Sequence, residues 1–256
     1  MNGAREDGSL VEYEIIPFVD GLMPPQGLQP LVNIHVIASL SAAHATAYII
    51  GHAGKGLAQF SSSPHCTSSV HGILSFAVDV VSDTTLITKP IDLVTWRIPF
   101  EQAVIGDPNL NGIIVCPALV YGRTASILAG LFRSASEGKV AWYGTPRRRY
   151  CLVHGDDLAD LYVRAVEKAQ VLGGQIFDAA NDFKESVDEL LQRLTEISGA
   201  QSPYEYIPPS TLFETAICIT VLYRPYLARA LLGWTPRKPG LADGLEIYYA
   251  SWSASR

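Results

Sequence analysis

Short apolar runs alternate with segments of helical periodicity over the first two thirds of the chain. The continuous apolar runs at 31–38 and 113–116 are typical of strands buried on both faces of a parallel sheet. Between them, 41–52 predicts a helix that begins at a serine cap, and 57–60 predicts another strand. This order of strand, helix and strand predicts an α/β fold with a mostly parallel sheet.

Strands and helices continue to alternate as far as the strand predicted at 175–178, and the residues after it are predicted to be mainly helical. Pro99 forces the start of a helix or a kink within the segment 93–105, and Gly138 ends a helix predicted at 125–136. The helix that follows Asp156 and Asp157, one of which is the predicted cap, presents a buried face of Leu158, Leu161, Val163 and Val166. The remaining predictions are strands at 73–81 and 175–178, then a tail with helices at 186–198, 210–221 and 226–232 that forms a helical cap without another βαβ repeat.

Composition restricts the partners of this chain. With 256 residues, 48% hydrophobic and 17% charged, it can bury a sizeable core without metal or disulfide support. The net charge is −6, and 147–149 is the one dense basic run, whereas binding to nucleic acid needs clustered cations. We therefore expect a neutral or weakly anionic small-molecule substrate and no nucleic-acid partner.

The cysteines and the N-terminal residues bear on location. Cys66, Cys116, Cys151 and Cys218 show neither CxxC nor Cys/His ligand spacing, so they predict buried, reduced thiols, with no metal site and no readable disulfide framework. The N-terminal residues MNGAREDGSL lack the cations and apolar run of a signal peptide, and no apolar stretch is long enough to span a bilayer. The sequence predicts a cytoplasmic protein with no membrane partner.

Three blocks occur in a characteristic order: PALVYG at 117–122, RRRYCLVHGDDLADLYVRAVE at 147–167 and LLGWTPRKP at 231–239. Over 31–252 the chain resembles the extended short-chain dehydrogenases/reductases, in their NAD-dependent epimerase/dehydratase-like branch. The resemblance implies a Rossmann-like sheet that lacks recognisable first strands, with NAD or NADP as cofactor and a small C-terminal helical substrate lobe. The implied domains are a divergent N-terminal segment at 1–30, a Rossmann-like core at 31–180 and a mainly helical lobe at 181–256.

Two features depart from that family. The glycine-rich phosphate loop is absent, because no GxGxxG or GxxGxxG occurs and the prolines within 21–27 prevent that segment from replacing it. The family also uses a Tyr-x-x-x-Lys pair, in which the phenol donates a proton. Alignment on Glu101 places Leu93 and Arg97 at these two positions, and leucine cannot transfer a proton.

The resemblance nevertheless implies positions for a site at the ends of the strands. A serine that hydrogen-bonds the substrate carbonyl maps to the run that includes Ser62, and Arg97 supplies a cation beside the nicotinamide ribose. Tyr121 offers an alternative proton donor. The candidate catalytic residues are Ser62, Arg97 and Tyr121; the candidate cofactor-binding residues are Ala38, Ser39, Arg97, Pro117, Ala118 and Val120; the candidate substrate-binding residues are Ser63, Arg149 and His154.

Simpler roles remain open for several of these residues. The serines at 61–63 suit loop capping, Arg97 suits an exposed helix position, and Arg149 suits a solvated basic run. His154 suits the strand that precedes a helix capped by an aspartate.

Three functions also remain open. The first is an NAD(P)-dependent oxidoreductase or epimerase acting on a small carbonyl or hydroxyl compound. The second is a cofactor-free isomerase, cyclase or dehydratase that uses the retained substrate pocket. The third is a non-catalytic family member, in which an exposed sheet edge would favour a homodimer.

Overall fold

The structure is a computed structural model, and it describes residues 3–4, 10–11, 13–14, 34–39, 46–51, 58–59, 80–85, 89–90, 97–106, 111–122, 128–220 and 222–255. The strands among these residues are β1 (Gly3–Ala4), β2 (Leu10–Val11), β3 (Tyr13–Glu14), β4 (Ile34–Ser39), β5 (Thr46–Gly51), β6 (Ala58–Gln59), β7 (Val80–Val81), β8 (Lys89–Pro90), β9 (Asn111–Pro117), β10 (Leu119–Tyr121), β11 (Lys139–Tyr143), β12 (Arg149–Tyr150), β13 (Leu152–His154), β14 (Ile176–Ala179), β15 (Glu185–Ser186), β16 (Gln201–Ile207) and β17 (Leu222–Tyr223). The helices are α1 (Arg97–Gly106), α2 (Ala129–Ser136), α3 (Gly155–Glu167), α4 (Val187–Ser198), α5 (Leu212–Ile217), α6 (Leu227–Leu232) and α7 (Leu245–Ala254), with a 3-10 turn at Ala169–Val171.

The largest described sheet has the order β14–β9–β5–β4–β3. Its pairs β14–β9 and β9–β5 are parallel, whereas β5–β4 and β4–β3 are antiparallel. In β9 the residues Ile113, Ile114 and Val115 are inaccessible to solvent, as a continuous apolar strand between two covered faces requires. The chain therefore has the predicted α/β architecture, with parallel strand pairs at its centre.

The other described strands form two-stranded pairs. β10 pairs in parallel with β13, β11 with β16, and β7 with β17. Two-stranded antiparallel pairs join β12 to β15, β6 to β8 and β1 to β2. The pairing of β10 with β13 positions the candidate site, because it places Tyr121 opposite His154.

Helix α3 packs one face into the core and begins differently from the prediction. Its first residue is Gly155, and His154, rather than Asp156 or Asp157, is the N-cap, because the His154 side chain accepts a hydrogen bond from the Asp156 N–H. The aspartates lie in the first turn, where their charge is favourable. The predicted buried face is also wrong at Val163, which is 46% exposed. Two residues beyond the buried Leu161, it has turned away from that face.

The predicted helix at 41–52 is wrong where the structure describes it, because 46–51 is strand β5. Thr46, Tyr48, Ile49 and Ile50 are β-branched or aromatic, and such residues favour strands over helices. The prediction of a strand within 31–38 is confirmed over 34–38. Its parallel orientation is wrong, because β4 and β5 run antiparallel as neighbours in sequence.

Several other predictions are confirmed within one or a few residues. The predicted strands at 113–116 and 175–178 correspond to β9 and β14, and parts of those at 57–60 and 73–81 correspond to β6 and β7. The helix at 93–105 corresponds to α1, with Pro99 in its first turn, where proline is tolerated. The predicted helices at 125–136, 186–198, 210–221 and 226–232 correspond to α2, α4, α5 and α6.

The C-terminal tail is not purely helical. Strand β16 follows α4 and pairs in parallel with β11, so the tail contains a strand that the prediction missed. The prediction also missed α7, which buries Leu245, Tyr248 and Trp252. The division at 30 and 180 into separate domains stays a prediction.

In the part of the chain that the structure describes, no helix combines the length and the apolar character needed to cross a bilayer. Within the same residues, no three His, Cys, Asp or Glu side chains lie close enough together to hold a metal ion.

Candidate functional site

The candidate site lies at the carboxyl ends of parallel strands. β5, β9 and β14 end at Gly51, Pro117 and Ala179, on the same edge of the sheet. The Ala118 N–H donates to the Ala179 carbonyl at 2.8 Å, and the Asn181 N–H donates to the Leu152 carbonyl at 2.7 Å. These bonds join the segments that follow β9 and β14 to each other and to β13. In open α/β sheets this edge is where ligands bind.

A buried polar cluster occupies this edge; we call it the tyrosine–histidine cluster, and it consists of Tyr121, His154, Asn181 and Tyr248. All four residues are between 1% and 8% exposed. The Tyr121 hydroxyl donates to the Pro239 carbonyl at 2.7 Å and accepts from Asn181 Nδ2 at 3.0 Å. The Tyr248 hydroxyl donates to the same Pro239 carbonyl at 2.8 Å. The cluster therefore joins β10, the loop after β14, and helix α7 around one backbone carbonyl.

The rings of the cluster pack edge to face. The Tyr121 ring is 5.2 Å from the His154 ring and 5.3 Å from the Tyr248 ring, with interplanar angles of 84° and 81°. The register of β10 and β13 explains the first contact, because Tyr121 is directly opposite His154. Such edge-to-face pairs are more favourable than burial of the same area alone.

His154 has a defined tautomer in this arrangement. Its Nδ1 accepts from the Asp156 N–H at 3.0 Å, so the proton of the neutral imidazole is assigned to Nε2. The Nε2 atom faces the backbone of Gly122, which has a φ of +98°. A Cβ atom at Gly122 would lie 2.2 Å from Nε2. Glycine is thus required at 122 both for the backbone conformation and for the approach of the imidazole.

Residues 234–242, which we call the docking segment, are held against the start of α3. Trp234, which is inaccessible to solvent, donates from Nε1 to the Asp157 carbonyl at 2.8 Å, and the Lys238 N–H donates to Asp157 Oδ2 at 3.0 Å. Lys238 Nζ lies 3.1 Å from Asp156 Oδ2. Glu185 binds the end of the segment by accepting from the Leu241 and Ala242 N–H groups at 2.7 and 2.6 Å. The sequence block at 231–239 therefore folds back onto the block at 147–167.

Burial raises the pKa of three groups in this region, two phenols and one carboxyl. It raises the pKa of Tyr121 well above its usual value, although the hydrogen bond from Asn181 opposes the shift. Burial also raises the pKa of Tyr248 to about 12. Both phenols are thus protonated near neutral pH and act as hydrogen-bond donors. Burial likewise raises the pKa of Glu185, while the two backbone donors partly counteract it.

The structure brings together some of the predicted site residues. Tyr121 and His154 are in contact, and Pro117, Ala118 and Val120 lead from β9 into β10 beside them. Ala118 is buried. The proton-donor role of Tyr121 stays a prediction; in this structure its hydroxyl is bonded to Pro239. We find Arg149 apart from this cluster, exposed, with Nη1 donating to the Lys184 carbonyl at 3.0 Å.

The other predicted site residues are described only in part. Ala38 and Ser39 end β4, and Arg97 begins α1, so their backbones are placed. Ser62 and Ser63 lie outside the described residues.

Sequence reasoning missed Asn181 and Tyr248. Asn181 directly follows a strand that was predicted, and a polar residue just beyond the carboxyl end of such a strand is a usable signal. Tyr248 lies in α7, where Leu245, Tyr248 and Trp252 recur at intervals of three and four, the spacing of one helix face.

The described residues share a fold with solved enzyme structures. A dTDP-glucose 4,6-dehydratase from Bacillus anthracis in complex with NAD is 11% identical, with a TM-score of 0.62 over 81% of this chain and 61% of that one. A UDP-glucose 4-epimerase from Thermotoga maritima, with UDP-glucose, is 19% identical, with a TM-score of 0.58 over 70% and 59%. A UDP-glucuronic acid 4-epimerase from Bacillus cereus, with NAD, is 17% identical, with a TM-score of 0.56 over 71% and 58%. This chain has the fold of these epimerases and dehydratases.

The similarity to these structures covers only part of their length, and the sequence comparisons add little to it. The chain spans less than two thirds of the length of each of these three structures. A family model described as the Mug135-like, C-terminal domain matches residues 1–65. Comparison with curated protein sequences gives no significant match.

Proposed function

We propose that this chain is an NAD(P)-dependent oxidoreductase or epimerase of the extended short-chain dehydrogenase/reductase type, acting on a small carbonyl or hydroxyl compound. The observation that carries the proposal is the parallel strand set β5–β9–β14, whose carboxyl ends meet the tyrosine–histidine cluster and the docking segment. The fold shared with NAD-bound epimerases and dehydratases supports the same reaction class.

The described residues fit the nicotinamide side of such a cofactor. Ala118 and Ala180 are small and buried at the ends of β9 and β14, so the backbone there can lie close to a flat ring. The pyrophosphate side has no such support, because no glycine-rich motif occurs in the sequence. The bound cofactor would supply hydride transfer, while the residues of this chain would position the ring and the substrate.

In this proposal each predicted residue has one task. Arg97 lies beside the nicotinamide ribose, and Ser62 hydrogen-bonds the substrate oxygen. Tyr121 supplies a proton to the substrate, with its phenol kept protonated by burial. Ser63, Arg149 and His154 contact the substrate, and Ala38, Ser39, Pro117, Ala118 and Val120 contact the cofactor.

Calorimetry with cofactor halves tests the proposal more sharply than the intact cofactor alone. Purified chain is titrated with NADH, NADPH, reduced nicotinamide mononucleotide and AMP. We expect heat with at least one dinucleotide and with the nicotinamide half, and little with AMP, because the sequence contains no glycine-rich phosphate-binding motif. No heat and no thermal stabilisation with millimolar amounts of either dinucleotide would contradict the proposal.

Arg149 and Arg148 form a matched pair for substrate binding, because both are exposed arginines in one run. Once a substrate is in hand, Arg149→Ala should raise KM by about tenfold, the loss of one charged hydrogen bond, whereas Arg148→Ala should not. Equal effects of the two substitutions would remove Arg149 from the substrate site.

A cofactor-free isomerase, cyclase or dehydratase is the second candidate function. The sequence favours it at two positions, because the phosphate loop is absent and Leu93 occupies the tyrosine position. Turnover of a metabolite that persists after exhaustive removal of nicotinamide nucleotides would support this function. A strict cofactor requirement would exclude it.

A further inference from the structure

Lys184 lies at the same edge of the sheet as the candidate site but was not among its predicted residues. It occupies the short connection between β14 and β15, beyond the carboxyl end of β14. The residue is half-buried, so part of its surface is accessible to solvent. This position in an open α/β sheet is one where ligands are bound.

Hydrogen bonds hold the Lys184 side chain and backbone in place. The Nζ atom donates to the Asn181 carbonyl at 3.2 Å and lies near the Cys151 thiol. Arg149 Nη1 donates to the Lys184 carbonyl at 3.0 Å, which fixes the backbone. Among the described residues, no carboxylate forms an ion pair with Nζ. The described residues therefore provide no carboxylate that would stabilise the charged ammonium form of Lys184.

The surroundings of the amine favour its neutral form. Cys151 belongs to a buried cluster whose other members are Val81, Ala118, Ala180 and Tyr223. Burial lowers the pKa of Lys184; the Cys151 thiol opposes this shift, and the nearby Arg224 guanidinium adds to it. A neutral lysine amine is a nucleophile, whereas an ammonium is not.

We propose that Lys184 binds small aldehydes and ketones covalently, as an imine on Nζ. The Nζ lone pair attacks the carbonyl carbon, so a carbon–nitrogen bond forms and the carbon–oxygen π bond breaks. One proton leaves the nitrogen and one is taken up by the oxygen, which gives a neutral carbinolamine. The hydroxyl then leaves as water after a second protonation, and the nitrogen loses its last proton, so amine and carbonyl give imine and water. The inference goes beyond the proposed nicotinamide chemistry and does not depend on it.

Reductive trapping on the full chain tests this inference. The protein is incubated with glycolaldehyde and cyanoborohydride near neutral pH, and the modified lysines are mapped by peptide mass spectrometry. Lys168 is the internal control, because its exposed Nζ also donates to a backbone carbonyl, that of Leu231 at 2.8 Å. We expect Lys184 to be modified several-fold faster than Lys168, with the advantage largest at the lower end of the pH range.

Two outcomes would overturn the inference: equal rates at Lys184 and Lys168 in the wild-type chain, or unchanged total labelling in Lys184→Arg with a folded spectrum. Lys168→Arg is the matched substitution and should leave Lys184 labelling intact. The rates in the wild-type chain decide the question even where Lys184→Arg does not fold. Labelling at Lys184 with no NADH binding would contradict the proposed function alone, and NADH binding with equal labelling would contradict this inference alone.

Discussion

Gly122 links the backbone at the end of β10 to the position of the His154 ring. A Gly122→Ala variant must place an alanine at a φ of +98° and a methyl group 2.2 Å from His154 Nε2. The backbone conformation alone costs about 1–3 kcal/mol, and displacement of the ring adds to that cost. We expect a clear loss in the free energy of unfolding, measured by urea denaturation.

Gly138 provides the matched control. Its φ is +93°, yet a Cβ there would meet no atom within 4 Å. Gly138→Ala should therefore lower the free energy of unfolding only by the cost of the backbone conformation. The difference in the free energy of unfolding between the two variants then measures the cost of the contact with His154. Equal losses in the two variants would contradict the close approach of His154 to Gly122.

His154 combines a helix cap with aromatic packing, and two substitutions separate these roles. His154→Asn keeps a side-chain acceptor for the Asp156 N–H, whereas His154→Ala removes it. Both variants lose the ring contacts with Tyr121 and Tyr248. The asparagine variant should be more stable than the alanine variant by about 1 kcal/mol in urea denaturation.

The N-cap of α4 calibrates that difference within the same protein. The Ser186 side chain accepts from the Glu189 N–H, so Ser186→Ala should cost a similar amount. If His154→Asn and His154→Ala are equally stable while Ser186→Ala is destabilised, the capping role of His154 is wrong.

Glu185 predicts a pH dependence of stability. Burial raises the pKa of Glu185 in the folded state above its unfolded value, so its contribution is fully present below the unfolded pKa and is lost as the pH rises through the folded pKa. Relative to Glu185→Gln, the wild-type chain should lose stability as the pH rises from the unfolded pKa of a glutamate, about 4, through the raised pKa of the folded state. Urea denaturation at a series of pH values measures the difference.

Glu137→Gln is the control, because Glu137 is exposed and its replacement also removes one carboxylate. Its effect on the free energy of unfolding is subtracted from that of Glu185→Gln at each pH. After that correction, a wild-type advantage over Glu185→Gln that grows with pH would reverse the predicted sign and contradict the raised pKa.

At the scale of elements, the docking segment depends on the first turn of α3. Asp157→Ala removes the acceptor of the Lys238 N–H, and Asp160→Ala is the control on the same helix, because Asp160 bonds only Arg164 among the described residues. Loss of a hydrogen bond to a charged group costs about 1.5–3 kcal/mol. Hydrogen exchange at 234–242 should therefore accelerate in Asp157→Ala and stay near wild type in Asp160→Ala. Equal exchange in both would show that Asp157 does not hold the segment.

Elements with strong local patterns could be predicted, and those set by their neighbours could not. The apolar run in β9 and the capped, amphipathic α4 are evident in the sequence. Strand β16, by contrast, has mostly exposed residues without apolar alternation, and its pairing with β11 defines it. The segment 46–51 contains alanine and isoleucine at spacings that suit a helix or a strand, and pairing with β4 and β9 decides for a strand.

The candidate site could be predicted where residues follow strands. Tyr121 and His154 could be predicted because they lie within the sequence blocks at 117–122 and 147–167, and each is the last residue of its strand. Tyr248 is distant from both residues in sequence and contacts them only in the folded chain. A local sequence pattern cannot predict such a long-range contact. The His154 cap was missed for another reason, because the adjacent aspartates are more usual caps.

At the scale of the whole molecule, the parallel strands, the tyrosine–histidine cluster and the docking segment form one edge to which a ligand can bind. The buried phenols at this edge are protonated donors, and the Lys184 amine is linked to Tyr121 through Asn181. The proposed nicotinamide chemistry and the proposed carbonyl binding therefore share this carboxyl edge. Formation of a homodimer stays a prediction.

A crystal structure of the full chain soaked with NADH would show whether nicotinamide binds at this edge. We expect density for the nicotinamide ring beside Pro117, Ala118 and Val120, at the carboxyl ends of β9 and β14. A saturating soak that leaves this edge without density, or that places the ring elsewhere on the molecule, would contradict this expectation.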